Sequence, residues 1–142
     1  MKKLLGEARA HKVPVVYSII GNSTIADVMP DVAAHADEPH VQSGPNKFRN
    51  TELEKILKDK GITTLIITGT AANGAVLSTA IGATLRGFTV ILPVDGLSSV
   101  EAYADLSTVY NEALPGDKIS PRAARIEVIG RRAWLLPPWL QC

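Results

Sequence analysis

Residues 61–87 constrain this chain more than any other stretch. Leu65, Ile66 and Ile67 form a short apolar run rich in β-branched side chains, bounded by Gly61 and Gly69. A run of that length between glycines reads as a strand buried on both faces. A helix is expected next, begun by Asn73, whose side chain can accept from a free amide of the first turn, and ended at Arg86 and Gly87. Gly74, Ala75, Ser78, Ala80, Gly82 and Ala83 leave no bulky or charged face before Arg86. That composition predicts a helix buried nearly all round, with another backbone close by. In a parallel α/β sheet, small ligands collect where the carboxyl end of a strand faces the amino end of the next helix. Any site is therefore expected over residues 69–76.

The flanking sequence supports the same architecture. Residues 2–11 read as a short helical lead-in and residues 13–20 as a strand, with Pro14 near its start, where a missing amide is tolerated. Residues 21–50 show no clear period and carry Pro30, Pro39 and Pro45, His35 and His40, and the acids Asp27, Asp31, Asp37 and Glu38. A loop of that length in a compact domain reads as a lid. Thr51 and Glu54 have capping-box spacing, followed by an apolar stripe of Leu53, Ile56 and Leu57 and a stop at Lys60 and Gly61. Residues 88–94 read as a third strand, and Ser98 with Glu101 as a second capping box. The helix it starts would carry Tyr103, Leu106, Tyr110 and Ala113 at core spacing. Residues 125–130 give a last strand. Strands alternating with helices imply βαβ units, a parallel sheet and right-handed crossovers.

Composition excludes several function classes. Lys plus Arg is 15 against Asp plus Glu 14, so no charge imbalance points to nucleic acid or an anionic membrane. The only cysteine, Cys142, rules out an intrachain disulfide and a cysteine metal cluster, and makes a reducing, cytoplasmic setting the default. The opening residues Met1 to Leu5 resemble a signal peptide, but Gly6 and Glu7 interrupt it after two apolar residues, so no leader is expected. No segment is long enough to span a bilayer. His35 and His40 lack a helix to align them as metal ligands, and no serine elbow or phosphate-loop motif occurs. No metal or other cofactor is expected. The apolar content of 46% leaves room for an oligomer interface, and a homo-oligomer is the expected assembly. Residues 1–130 read as one domain. Residues 131–142, with Trp134, Trp139 and the pair Pro137-Pro138, read as an apolar arm or as a segment not native to the fold.

The order strand, Gly69-Thr-Ala-Ala-Asn-Gly-Ala-Val76, small-residue helix, Arg86-Gly87, strand, Pro93-Val-Asp-Gly-Leu-Ser-Ser99 resembles the isochorismatase-like (cysteine hydrolase) superfamily, which includes nicotinamidases and N-carbamoyl amidohydrolases. The resemblance spans residues 8–112. It implies a three-layer α/β sandwich with a mostly parallel, Rossmann-like sheet, and an aspartate, a lysine and a cysteine as catalytic residues. The family's first strand, which ends in the aspartate, has no counterpart here, so the chain is either truncated or has dispensed with it. Residues 15–19 would then pair directly with residues 65–67, or another segment would fill the gap.

Carrying the pattern over through Phe48 and Thr51 puts Gln42 at the lysine position. Lys47 is close enough in sequence to reach the same crevice, although solvent exposure is the default for a loop lysine. The nucleophile position is Ala75, which has no nucleophilic atom, so thioester chemistry cannot run there. The resemblance also implies a non-proline cis peptide at Thr70-Ala71, and places Asp95 where the family has an aspartate at a strand end, with turn capping its simplest role. The amides of residues 69–74 remain suited to an anionic or carbonyl oxygen. The expected ligand-contacting residues are Lys47, Phe48, Thr70, Ala71, Asn73, Gly74 and Ala75. The resulting expectation is a hydrolase-like protein, catalytically inactive, that binds a small molecule in the old crevice. One alternative is an active hydrolase using Lys47 and an acid of residues 21–50 on water. Another is a non-enzymatic oligomeric subunit.

Overall fold

The computed structural model describes residues 1–101 and the backbone of residues 126–129. Its elements are α1 (Lys2–Ala10), β1 (Tyr17–Ile20), β2 (His40–Ser43), α2 (Leu53–Asp59), β3 (Thr64–Ile66) and β4 (Gly69–Thr70), followed by a π-helical turn (Ala72–Val76), α3 (Leu77–Thr84), β5 (Thr89–Pro93), β6 (Leu97–Ser98) and β7 (Ile126–Ile129). Every strand pairing among the described residues is parallel: β1 with β2, β5 between β3 and β7, and β4 with β6. The chain is an α/β sandwich. The expected helix after Ser98 and the arm over residues 131–142 lie outside the described residues.

The core joins these groups of strands. Val41 of β2, Val90 and Leu92 of β5, Val76, Ala80 and Ala83 beside them, and Phe48, Leu53 and Leu57 form one buried cluster, against which Val16, Leu65 and Ile67 pack. Leu92 is fully buried, as expected for a central parallel strand. Yet among the described residues β1 does not pair with β3. Of the two arrangements expected, the direct pairing of residues 15–19 with 65–67 is not formed; Val16, just before β1, and Leu65 of β3 pack on the same core without a ladder between the strands.

Residues 21–50 are more ordered than their sequence suggests. They hold β2 and two 3-10 turns, Ile25–Asp27 and Pro30–Val32. Thr24 and Asp27 form a capping box, with the Thr24 amide donating to Asp27 Oδ2 at 2.6 Å. Arg9 of α1 fastens the segment. Its guanidinium donates to both Glu38 carboxylate oxygens, at 2.8 and 2.7 Å, and to the Ala33 carbonyl at 2.8 Å. The Tyr17 hydroxyl adds a 2.6 Å bond to the Val32 carbonyl. A four-residue strand with His40 and Gln42 exposed carries too few apolar residues to show a period, so in sequence it is indistinguishable from loop.

Two helix starts also differ from expectation. At α2, Thr51 Oγ1 accepts the Leu53 amide at 3.2 Å, but Glu54 does not complete a box; it pairs with Lys58 and Arg86. At residue 73 no asparagine cap forms. The π-helical turn begins with Ala71 as its cap residue, and Asn73 lies inside the turn with its side chain in solvent. The other end of α3 is as expected: Gly87 takes φ +85°, and the amides of Gly87 and Phe88 return to the carbonyls of Thr84 and Ala83.

Burial is less complete than expected. The β3 residues are half-buried rather than enclosed on both faces, and Ile81 of α3 is 47% exposed and Leu85, its C-terminal cap residue, 80%. Small residues bury only the sides of α3 that face Asn46 and β5.

Candidate functional site

Strand β3 delivers the chain to the carboxyl edge of the sheet, where residues 69–76 turn into α3. The Thr70-Ala71 peptide is cis, at the bond the resemblance singled out. The Ala71 carbonyl accepts the amides of Gly74 and Val76, at 3.1 and 3.2 Å, which closes the turn on itself. The buried Ala72 amide donates to Ser99 Oγ at 3.0 Å, and the hydroxyls of Thr70 and Ser98 hydrogen-bond each other. Residues 97–99 therefore brace the turn from the next strand end, supported by the β4–β6 pairing. The capping-box reading of Ser98 concerns a helix outside the described residues; the bonds of Ser98 and Ser99 to this turn are a role that reading does not include, and their position directly after a strand end on the same sheet edge is the signal for it. Asp95 lies in the 3-10 turn Val94–Gly96 that leads to them.

Ala75 sits in this turn, half-buried, with a methyl group where the family's nucleophile is expected. Thr70 and Asn73 are exposed, and Ala71 and Gly74 half-buried. These five residues come together as one turn.

The segment before α2 approaches from the opposite side. Thr79, one helical turn beyond Ala75, accepts the Lys47 amide at 3.2 Å and donates to the Pro45 carbonyl at 3.1 Å. Gly82 lets the Asn46 side chain lie against the helix; a Cβ there would stand 2.7 Å from Asn46 Oδ1. This docking reverses the default for Lys47. Its side chain is not in solvent: the residue is 3% exposed, and its ammonium donates to the carbonyls of Ile19 at 2.9 Å and Ser43 at 3.2 Å. Among the described residues no carboxylate pairs with it. Burial holds its pKa below the ordinary lysine value, because the charged form gives up hydration for two carbonyl dipoles.

The other two candidates have structural roles. Gln42, at the lysine position, is exposed and donates from Nε2 to the carbonyls of Gly21 at 2.7 Å and Ser23 at 2.9 Å, which ties down the loop after β1. Phe48 is a core side chain. Its ring stacks on Phe88 with centroids 5.8 Å apart, and the Arg86 guanidinium lies 5.0 Å from its centre. Among the described residues, no three His, Cys, Asp or Glu side chains are grouped to hold a metal ion, and no helix is long and apolar enough to cross a membrane.

Known structures share this fold. An isochorismatase-like hydrolase from Alkaliphilus metalliredigens superposes with a TM-score of 0.75 at 21% identity, over 89% of this chain and 75% of that one. N-carbamoylsarcosine amidase from Thermoplasma acidophilum gives a TM-score of 0.68 at 18% identity, over 89% of this chain and 79% of that one. A nicotinamidase from Staphylococcus aureus gives 0.67 at 16%, over 88% and 79%. No curated protein sequence matches the chain. At these identities the structures establish the fold. The family model described as the isochorismatase domain matches residues 1–112, and the chain belongs to the isochorismatase family.

Proposed function

We propose that this protein binds a small molecule in the crevice bordered by residues 69–76 and does not hydrolyse it through a covalent enzyme intermediate. The observation that carries the reading is the side chain of Ala75. A thioester or ester intermediate needs a sulfur or oxygen nucleophile, and the methyl group has no lone pair to attack a carbonyl. The hydroxyls of Thr70 and Ser98 hydrogen-bond each other, and the pair keeps one further donor and unused lone pairs with which to orient a polar ligand at the sheet edge. Gln42, without a charge, cannot replace the electrostatic work of a lysine at its position. A cytoplasmic setting is part of the same reading.

The test is an assay of the purified chain with nicotinamide, N-carbamoyl and enol-ether compounds, alongside a binding measurement by calorimetry. The reading expects binding by at least one such compound with no turnover above the uncatalysed rate. Turnover with a trapped covalent adduct would contradict it.

One observation favours a second reading, a hydrolase of this family that works without cysteine. Lys47 is a buried amine with a depressed pKa, a setting in which lysines serve as general bases. If it activates water, turnover exists and disappears in Lys47→Ala.

A further inference from the structure

Asn73 and Gly74 stand in the middle of the π-helical turn, and the fold gives a reason for neither. Asn73 is exposed and does not cap the turn, which begins with Ala71 as its cap residue. Gly74 does not take a positive φ. A Cβ built on it would meet nothing closer than Ala71 Cβ at 3.9 Å, an ordinary contact. A glycine in a helical stretch that uses neither freedom is a cost, since alanine there would lose less conformational entropy on folding. No other asparagine in the chain precedes glycine; Asn22, Asn46 and Asn50 are followed by serine, lysine and threonine.

What the pair supplies is reactivity. We propose that Asn73-Gly74 is a deamidation site, where the Asn73 carboxamide is lost through a cyclic imide formed with the main-chain nitrogen of Gly74. That nitrogen gives up its proton to solvent and attacks Asn73 Cγ; the bond from Cγ to Nδ2 breaks, and Nδ2 takes a proton from solvent and leaves as ammonia. Water then adds to one of the two imide carbonyls, which breaks that carbon's bond to the Gly74 nitrogen and returns a proton to it. Opening at Cγ leaves an aspartate. Opening at the Asn73 main-chain carbonyl leaves an isoaspartate, whose chain runs on through the former side chain. The net change is one water consumed and one ammonia released. With no Cβ on Gly74, the attacking nitrogen is unshielded. In the closed turn its N–H is donated to the Ala71 carbonyl at 3.1 Å, so ring closure follows a local opening that breaks this bond. The product places a negative charge at the start of the helical stretch that runs on into α3, where an acid is favoured, two residues from Ala75. None of these steps requires the crevice to bind a ligand.

Peptide mapping by mass spectrometry, on the full chain held in its native state at neutral and at mildly alkaline pH, tests the assignment. Position 73 is expected to convert several-fold faster than Asn22, Asn46 and Asn50, and faster still as pH rises, because the attacking nitrogen must lose its proton. Gly74→Ala, for which the turn has room, is expected to slow conversion of Asn73 several-fold. Its circular dichroism spectrum should match the wild type, and its resistance to urea should hold or rise. A native chain in which Asn73 converts no faster than the other three asparagines overturns the proposal. So does a folded Gly74→Ala chain that converts at the wild-type rate.

Discussion

Arg9 and Lys47 mark two regions of the molecule that hold a cation in opposite ways. In the outer region, Arg9 meets a carboxylate on two bonds and so joins α1 to the segment ending at Glu38, where little apolar packing does the same work; α1 has no buried residue. In the inner region, Lys47 is buried against two main-chain carbonyls, while Phe48, Leu53 and Leu92 fill the core around its segment. The difference is one of redundancy. Losing one group should release the outer layer locally, whereas the inner region loses stability as a whole when a core side chain is cut back.

The largest effect expected from this contrast is in the sheet. Leu92→Ala removes a fully buried side chain and should cost about 3 kcal/mol of global stability, read from urea denaturation. An effect confined to one segment would break the comparison. Next comes Thr79→Val, which removes the acceptor of the Lys47 amide and the donor to Pro45, for a loss of about 2 kcal/mol. Hydrogen exchange should show the opening at residues 45–48, with β5 still protected.

The smallest global effect is expected from Glu38→Gln. Global stability should change little, but exchange and proteolysis in α1 and residues 29–38 should rise several-fold. Acid should act in the same way on the wild type. The Arg9 bonds hold the Glu38 carboxyl below the ordinary glutamate range. Its contribution is therefore fully present above that range and is lost as pH falls through the lower, folded-state value. Protection of residues 29–38 that is indifferent to pH in this window would show that the clamp does not hold the layer.

The two regions also differ in how far the sequence discloses them. The α3 neighbourhood was legible because its signals are local: an apolar run, a glycine stop, small residues in a row. The family resemblance, rather than the pattern itself, pointed to the cis Thr70-Ala71 bond and to the place of Ala75 in the turn. What remained hidden depends on partners distant in sequence. Nothing near Glu38 announces Arg9, 29 residues away, and nothing near Lys47 announces that Thr79 will draw its main chain against α3 and bury the amine. Ser99 carries no sequence signal of its own, because nothing near it announces residue 72, and only the fold brings its hydroxyl to the Ala72 amide. The open face of α3 was missed for another reason. Smallness suggests burial, but Ile81 and Leu85 stand on the one side that no described neighbour covers.

The central claim is that this turn keeps the setting of a reactive residue without the residue. The direct measurement is the pH dependence of alkylation of Ala75→Cys in a Cys142→Ser background, compared with Cys142 of the wild type. Amides at a helix start favour a thiolate, so the thiol at position 75 should react with a pKa below the free-cysteine value of about 8.5 and faster than Cys142 at neutral pH. A thiol there that titrates at or above the free value, or reacts no faster than Cys142, would contradict the account.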